Sequence, residues 1–261
     1  MKTCFTFDHA LKLAILAVAA APASLSAQIT LSQEVDANTF VSSGQPNMNF
    51  DNLGAMEIAA PTRAQNRTEE TLLGFETAAI ESGFNADYGA GNWVITSVTL
   101  KLFSNVANAG TQPPSSSFNK IAAGEFELDW LSDNSWNPAQ ITYNNISSVL
   151  PGTGGNTLAS LGDFDWLANG ASSTTWAFDL NPNLVNEIAS GGDVSIFGQP
   201  TAGSTVGYLF NTPLLNGAEL NVTASAVPEP LSTAPTLALM VFSLAGLAAL
   251  RRSQHHGETT M

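Results

Sequence analysis

The chain has 261 residues, of which 44 % are hydrophobic and only 11 % are charged, and its formal net charge is −14. This apolar content is too high for a disordered chain, and the 21 glycines and 13 prolines are typical of a β protein with many turns. Because a surface this acidic repels phosphate backbones, we expect no nucleic-acid partner.

The first 27 residues are predicted to form a signal peptide. Lys2 and Lys12 supply positive charge, residues 13–21 form an apolar run, and small residues suited to cleavage follow up to Ala27. The alternative is an uncleaved membrane anchor, but the run is short for a hydrocarbon core of roughly 30 Å. The signal peptide therefore predicts export from the cytoplasm.

The segment between the two ends, residues 28–226, contains neither cysteine nor histidine, because Cys4 and all three histidines lie outside it. Disulfides, zinc sites built on His or Cys, and Ser-His-Asp or Cys-His catalysis are therefore excluded for this segment. It holds 19 acidic and four basic residues, a net charge of −15. We predict that it is not an enzyme.

Hydrophobic alternation and turn residues predict an all-β fold for this segment. The clearest strand spans residues 94–103, in which Thr96, Val98, Leu100 and Leu102 share one face. Several short strands separated by loops predict a single β-sandwich or jelly roll. The other predicted strands are residues 39–42, 56–60, 71–76, 125–131, 175–180, 194–198, 206–211 and 219–223.

One short helix is predicted after Asn181. This residue can cap the helix, Pro182 fits its first turn, and Gly191 can end it. The expected buried face consists of Leu184, Val185 and Ile188.

Six short motifs between residues 34 and 224 follow one another in a recognisable order. They are Asp36–Asn47 with Asn49-Phe50, Leu72–Phe75, Ile95–Leu102, Trp136 with Ile141–Asn145, Phe178–Leu180, and Gly207–Phe210. In this order they resemble DNRLRE-type domains, which are extracellular β-sandwich modules related to some polysaccharide-binding modules. Two features depart from that family: its arginines are reduced to Arg63 and Arg67, and the stretch Thr77–Trp93 is longer than expected.

Two of the five tryptophans are candidate sugar-binding residues. Trp136 and Trp166 lie beside Asn, Asp and Gly residues typical of loops, and flat indole rings are suited to stacking on sugars. Packing in the core is the alternative for each ring. By strand alternation, Trp130 is expected to be buried.

Calcium is the only cofactor that the sequence leaves open. Asp163 and Asp165 lie in a loop-like segment and could bind it, against the alternative of ordinary turn chemistry. Glu125, Glu127 and Asp129 share one face of a strand, where a solvent-exposed face is the favoured interpretation. Paired carboxylates can hydrolyse glycosides without histidine, which keeps an enzymatic alternative open.

The C-terminal end combines three features. Val227-Pro228-Glu229-Pro230 precedes an uncharged apolar segment at residues 231–250, and Arg251-Arg252 follow it. At ~1.5 Å per residue the segment reaches roughly 30 Å, which predicts a transmembrane helix with a cytoplasmic end. The order of these features over residues 227–252 resembles the PEP-CTERM sorting signal, which in that family is processed by a membrane protease called exosortase. The alternative is an ordinary single-span anchor. The tail 253–261 is longer than that family's usual ending.

The resemblances imply an exported protein of a Gram-negative bacterium. Its C-terminal helix would hold it transiently in the inner membrane until exosortase leaves it in the cell envelope or the extracellular matrix of a biofilm. We expect a structural or adhesive role with extracellular polysaccharide as the ligand. The alternatives are a calcium-dependent protein–protein adhesin and a carboxylate-only polysaccharide-degrading enzyme.

Overall fold

The computed structural model describes residues 27–51, 53–62, 66–105, 121–151 and 155–228. The chain divides into two units, Met1–Ala226 and Val227–Met261, and the described strands and helices all belong to the first unit. Within the described ranges, no helix is both long and apolar enough to span a membrane. The predicted signal peptide up to residue 26, the transmembrane segment 231–250 and the tail 253–261 lie outside these ranges and stay predictions.

The described residues are mostly β, with two antiparallel sheets consistent with a β-sandwich. The strands are β1 (Gln28–Glu34), β2 (Ala37–Ser42), β3 (Ala55–Ala59), β4 (Glu69–Glu76), β5 (Trp93–Phe103), β6 (Gly124–Leu131), β7 (Leu158–Trp166), β8 (Ser173–Ala177), β9 (Asp193–Pro200), β10 (Gly207–Asn211) and β11 (Glu219–Ala226). The helices are α1 (Ala78–Tyr88) and α2 (Pro182–Ala189).

The first sheet has the strand order β1-β11-β5-β8. Val98, Leu100 and Leu102 of β5 are buried, as their alternation predicts, because successive side chains of a strand point to opposite faces. The prediction for Thr96 is wrong: it is exposed, and Ile95 is buried instead. A β-bulge opposite Thr223 and Ala224 adds one residue to β5 and reverses the alternation beyond it.

The second sheet has the order β10-β3-β4-β9-β6-β7, and β2 also pairs with β4. Its inner face and that of the first sheet share one hydrophobic core. Aromatic rings meet at the centre of this core, where Tyr208 is fully buried and stacks on Trp166 with the ring centroids 4.0 Å apart. Trp176 packs edge-on to Tyr208, and the predicted burial of Trp130 is confirmed.

The predicted helix is confirmed as α2. The Asn181 side chain accepts a hydrogen bond of 2.8 Å from the Asn183 N–H, and Leu184 and Ile188 are buried. Gly191 has a φ of 67°, the left-handed conformation that commonly ends a helix.

The expectation of a single helix is wrong, because α1 lies in the stretch Thr77–Trp93, for which no helix was predicted. Ile80 and Phe84 are its buried residues. At Gly83 an added Cβ would lie 2.6 Å from Leu31 Cδ1, so glycine lets the helix approach β1 closely. The single proton of the Tyr88 hydroxyl has two carbonyl acceptors within reach, Ala27 O at 2.8 Å and Ala224 O at 3.1 Å, which fixes the end of α1 beside the start of β1 and the end of β11.

The first and last strands of the described residues bring their outer ends together. Gln28, at the start of β1, is opposite Ser225, near the end of β11. Glu34, at the other end of β1, is opposite Glu219. Strand β1 has seven residues and therefore separates its two ends by about 20 Å.

Candidate functional site

A row of three small residues crosses the outer face of the second sheet. Ala37 of β2 is opposite Gly74 of β4, which is opposite Ser195 of β9. A Cβ on Gly74 would lie 3.2 Å from Ala37 Cβ and 3.4 Å from Trp136 Cζ2, so the missing side chain leaves room for the indole ring. Trp136 is half-buried there, and its Nε1 donates to Ser195 Oγ at 2.8 Å.

The segment between β6 and β7 carries Trp136 and covers part of this outer face. Ile141, Ile146 and Val149 of this segment join a second hydrophobic cluster with side chains of β2, β4, β6 and β9. The Asn49 side chain donates to the Pro138 and Ile141 carbonyl oxygens at 2.6 and 2.7 Å. These contacts hold the segment against the sheet and thereby fix the position of Trp136.

Hydrogen bonds also order the residues just before Trp136. The Asp133 carboxylate accepts from the Ser135 N–H and hydroxyl at 2.8 and 2.7 Å, and from Asn156 Nδ2 at 3.2 Å. Burial acts to raise the pKa of Asp133, but these bonds to Ser135 and Asn156 outweigh it and lower the pKa below its usual value.

A pocket of about 170 Å³ opens beside the indole ring, and we call it the Trp136 pocket. Its rim carries three exposed carboxylates, Asp36, Glu76 and Asp193, at the same end of β2, β4 and β9. Glu76 and Asp193 are directly opposite each other in the sheet. Asp36 Oδ2 accepts from the Glu76 N–H at 2.7 Å. The remaining lining residues are Ala37, Gly74, Phe75, Asn134, Trp136, Val194 and Ser195.

Helix α2 supports the pocket through Glu187. This carboxylate accepts hydrogen bonds from Trp130 Nε1 at 2.5 Å and from Asn134 Nδ2 at 3.0 Å. Burial raises the pKa of Glu187, the two hydrogen bonds lower it, and the nearby Asp193 charge raises it again, with a raised pKa as the result. Among the described residues, Asn134 Oδ1 has no hydrogen-bond partner although it is buried.

The two tryptophans predicted to bind sugar lie in different environments. Trp136 lines a surface pocket, as a sugar-stacking residue would. Trp166 is only 5 % exposed and stacks on Tyr208, so protein atoms cover its ring. The expectation for Trp166 therefore gives way to its alternative, packing in the core.

The expectation that Asp163 and Asp165 lie in a loop is wrong. Both residues lie in strand β7, where they are exposed. They are opposite Glu127 and Glu125 of β6, and we call these four residues the acidic strip. The nearby Asp129 is buried rather than exposed, and burial, followed by the charge of Glu127, raises its pKa to about 6. Within the described ranges, no group of three or more Asp, Glu, His or Cys residues is arranged to hold a metal ion.

Only the start of the predicted sorting motif lies in the described part of the chain. Val227 and Pro228 follow β11 directly and are exposed. Glu229, Pro230, Arg251 and Arg252 lie outside the described residues, so the motif stays a prediction.

Sequence reasoning did not identify the rim of the pocket. Asp36 appeared only as the first residue of a family-like motif, and Glu76 and Asp193 lie in separate strands 117 positions apart. The register of β4 and β9 brings these two residues together, and no local pattern predicts that register. The usable signal was an acidic residue at the end of one predicted strand, residues 71–76, and another directly before the predicted strand 194–198.

Comparisons with known proteins give no family for this chain. No protein-family model matches it, and no curated protein sequence matches it significantly. The functional argument therefore depends on the residues and geometry of the chain itself.

Proposed function

We propose that this chain is an exported protein of the cell envelope or extracellular matrix, with a structural or adhesive role, and that its β-sandwich binds polysaccharide at the Trp136 pocket. We propose further that its fold is a jelly roll of the DNRLRE type and that residues 227–252 are an exosortase sorting signal. In this account the protein binds its ligand without cleaving it.

The Trp136 pocket is the observation that supports sugar binding. An indole offers a flat apolar surface, while the three exposed carboxylates around it offer hydrogen-bond acceptors for hydroxyl groups. At about 170 Å³ the pocket is smaller than the ~300–1,000 Å³ usual for sites that enclose a ligand. It therefore suits one sugar ring of a long polymer better than an enclosed small molecule.

The positions of the chain ends support display from a tether. Gln28 and Ser225 are neighbours, so the predicted signal peptide and sorting tail both join the domain at one end of β1. Asp36, on the rim of the pocket, follows the other end of β1, about 20 Å away. A domain tethered through Ala226 would thus keep the Trp136 pocket away from its attachment point.

Retention of the purified full chain on a panel of insoluble neutral, acidic and amino polysaccharides tests the binding proposal. We expect at least one polymer to retain the wild-type protein and Trp136→Ala to reduce retention about tenfold or more, as loss of a central aromatic contact does. Trp93→Phe, at the other half-buried tryptophan, is the matched control. Retention that is absent for every polymer, or unchanged in Trp136→Ala, would refute the proposal.

Substitution of the tail tests the sorting proposal separately. In cells of a host that makes exosortase, we expect Glu229→Ala or replacement of Arg251 and Arg252 by Ala to trap unprocessed protein in the inner membrane. Fractionation followed by mass spectrometry of the mature chain measures both size and location. Wild-type size and location in these variants would contradict the proposal.

A further inference from the structure

We infer that the Trp136 pocket selects an amino sugar in its cationic form, so that the ligand is a polysaccharide with free ammonium groups. This inference rests on the proposed sugar-binding function and adds the chemical class of the sugar. It follows from the charges on the rim of the pocket and from their pairing.

All charged residues that line the pocket are acidic. Asp36, Glu76 and Asp193 are exposed around the pocket, and no basic side chain lines it. Of the bases in the described ranges, Arg67 pairs with Glu69 at 2.8 Å and Lys101 pairs with Glu219 at 3.2 Å. The described part of the protein therefore places no cation at the rim, so a ligand can supply the positive charge that the rim carboxylates attract.

The pairing of Glu76 with Asp193 makes a cationic ligand favourable. Like charges directly opposite each other in a sheet repel and destabilise it. Glu187 adds a fourth acidic group behind the rim. Its pKa is raised by burial first and, among the further causes, by the charge of Asp193. An ammonium group placed among these residues relieves the repulsion and gains charge-assisted hydrogen bonds.

Trp136 is the reason to infer a sugar ring in addition to the ammonium group. An indole face attracts a cation within about 6 Å of its centre, and it also packs against the apolar face of a sugar. The hydrogen bond from Trp136 Nε1 to Ser195 Oγ and the packing of the ring against Gly74 fix the indole before a ligand binds. The pocket thus combines a fixed aromatic surface with negative charge, which matches a ring bearing an ammonium group.

The net charge of the domain acts in the same direction. At −15 for residues 28–226, it repels uronic-acid polymers and attracts polycationic ones. Domain charge alone would give binding anywhere on the surface, so the test must separate the pocket from the rest of the molecule. The acidic strip provides this control, because Asp163 and Asp165 belong to the same sheet.

Calorimetric titration of the full chain in detergent measures the selectivity, in physiological salt and at a pH below the point where the sugar amine loses its proton. The ligands are a glucosamine oligomer, an N-acetylglucosamine oligomer of equal length, and free lysine as an amine without a ring. We expect the glucosamine oligomer to bind about tenfold or more tightly than either of the others. Equal or tighter binding of the acetylated oligomer, or of lysine, overturns the inference.

Isosteric charge removal locates the binding. Glu76→Gln with Asp193→Asn should weaken binding of the glucosamine oligomer about tenfold, because each exposed ion pair contributes up to about fivefold. Asp163→Asn with Asp165→Asn removes the same amount of charge. These residues lie roughly 13 to 20 Å along β6 from the position opposite Ser195 of the pocket, beyond the ~8 Å screening length. This double variant should therefore leave binding nearly unchanged. Equal weakening by both double variants overturns the inference. All four substitutions are at exposed positions, so folding is expected to be retained.

The outcomes also separate this inference from the proposed function. If a neutral polysaccharide binds through Trp136 and the glucosamine oligomer does not bind, the choice of an amino sugar is wrong and the sugar-binding function stands. If neither oligomer nor any polysaccharide of the panel binds, both are wrong.

Discussion

We predict that the free energy of unfolding rises as the pH falls from about 8 to about 5, and Glu69 is the main reason. This residue is fully buried at the start of β4, where its carboxylate accepts a hydrogen bond from Ser42 Oγ at 2.9 Å and pairs with Arg67 Nε at 2.8 Å. Burial raises its pKa from 4.5 to about 7, although Ser42 and Arg67 both act to lower it.

The sign follows from proton binding. Between about pH 4.5 and 7 the folded protein holds a proton at Glu69 that the unfolded chain has released, so acid favours folding. This stability is fully present below the unfolded pKa and is lost as the pH rises through the folded pKa. At 1.36 kcal/mol per pKa unit, the difference amounts to about 3 kcal/mol. Asp129, whose pKa burial and Glu127 raise to about 6, contributes in the same direction.

Urea unfolding of the full chain at several pH values measures the effect. Glu69→Gln keeps an oxygen that can accept from Ser42 but has no proton to release, so its unfolding free energy should vary less with pH by up to about 3 kcal/mol. Asp165→Asn, which removes an exposed carboxylate of β7, should keep the wild-type dependence. A wild-type protein that loses stability between pH 8 and 5, or a Glu69→Gln variant with the wild-type dependence, would refute this reasoning.

Three substitutions test the packing around the site, each by urea unfolding. Gly74→Val should cost about 1–3 kcal/mol and reduce polysaccharide retention, because its side chain overlaps Trp136; unchanged stability and retention would contradict this. Asn181→Ala should lower the free energy of unfolding by about 1 kcal/mol through loss of the cap of α2. The control Asn183→Ala, whose backbone N–H still donates, should change it by less than about 0.5 kcal/mol. Equal effects of the two substitutions would argue against capping. Trp166→Phe should cost about 1–3 kcal/mol without changing retention, and weaker retention at unchanged stability would restore Trp166 as a binding residue.

Alternation predicted most of the strands because their buried faces are consistently apolar, as in residues 98–102 of β5. Strand β7 was not predicted as one, because Gly162, Asp163 and Asp165 are typical turn residues. Gly162 has a φ of 133°, and the pairing with β6 shifts by one residue near it, so the strand tolerates the glycine as a β-bulge. Helix α1 was not predicted because Gly83 lowers helix propensity. In the structure this glycine lets α1 approach Leu31 of β1 closely.

The site was predicted in part. Trp136 was selected for its loop-like neighbours, and those neighbours do place it at the surface. Trp166 had similar neighbours but ends β7 with its ring in the core, since the direction of a side chain depends on strand pairing that local sequence does not encode. Two of the rim carboxylates lie in strands β4 and β9 and the third, Asp36, directly precedes β2, so only the register of the sheet brings them together.

Tryptophan oxidation followed by mass spectrometry tests the central claim, that polysaccharide binds at the Trp136 pocket, most directly. Of the five tryptophans, Trp93 and Trp136 are half-buried and accessible to reagent, whereas the other three are buried. The account predicts that a retained polysaccharide protects Trp136 from oxidation and leaves Trp93 as reactive as before. Equal oxidation of Trp136 with and without the bound polymer would contradict it.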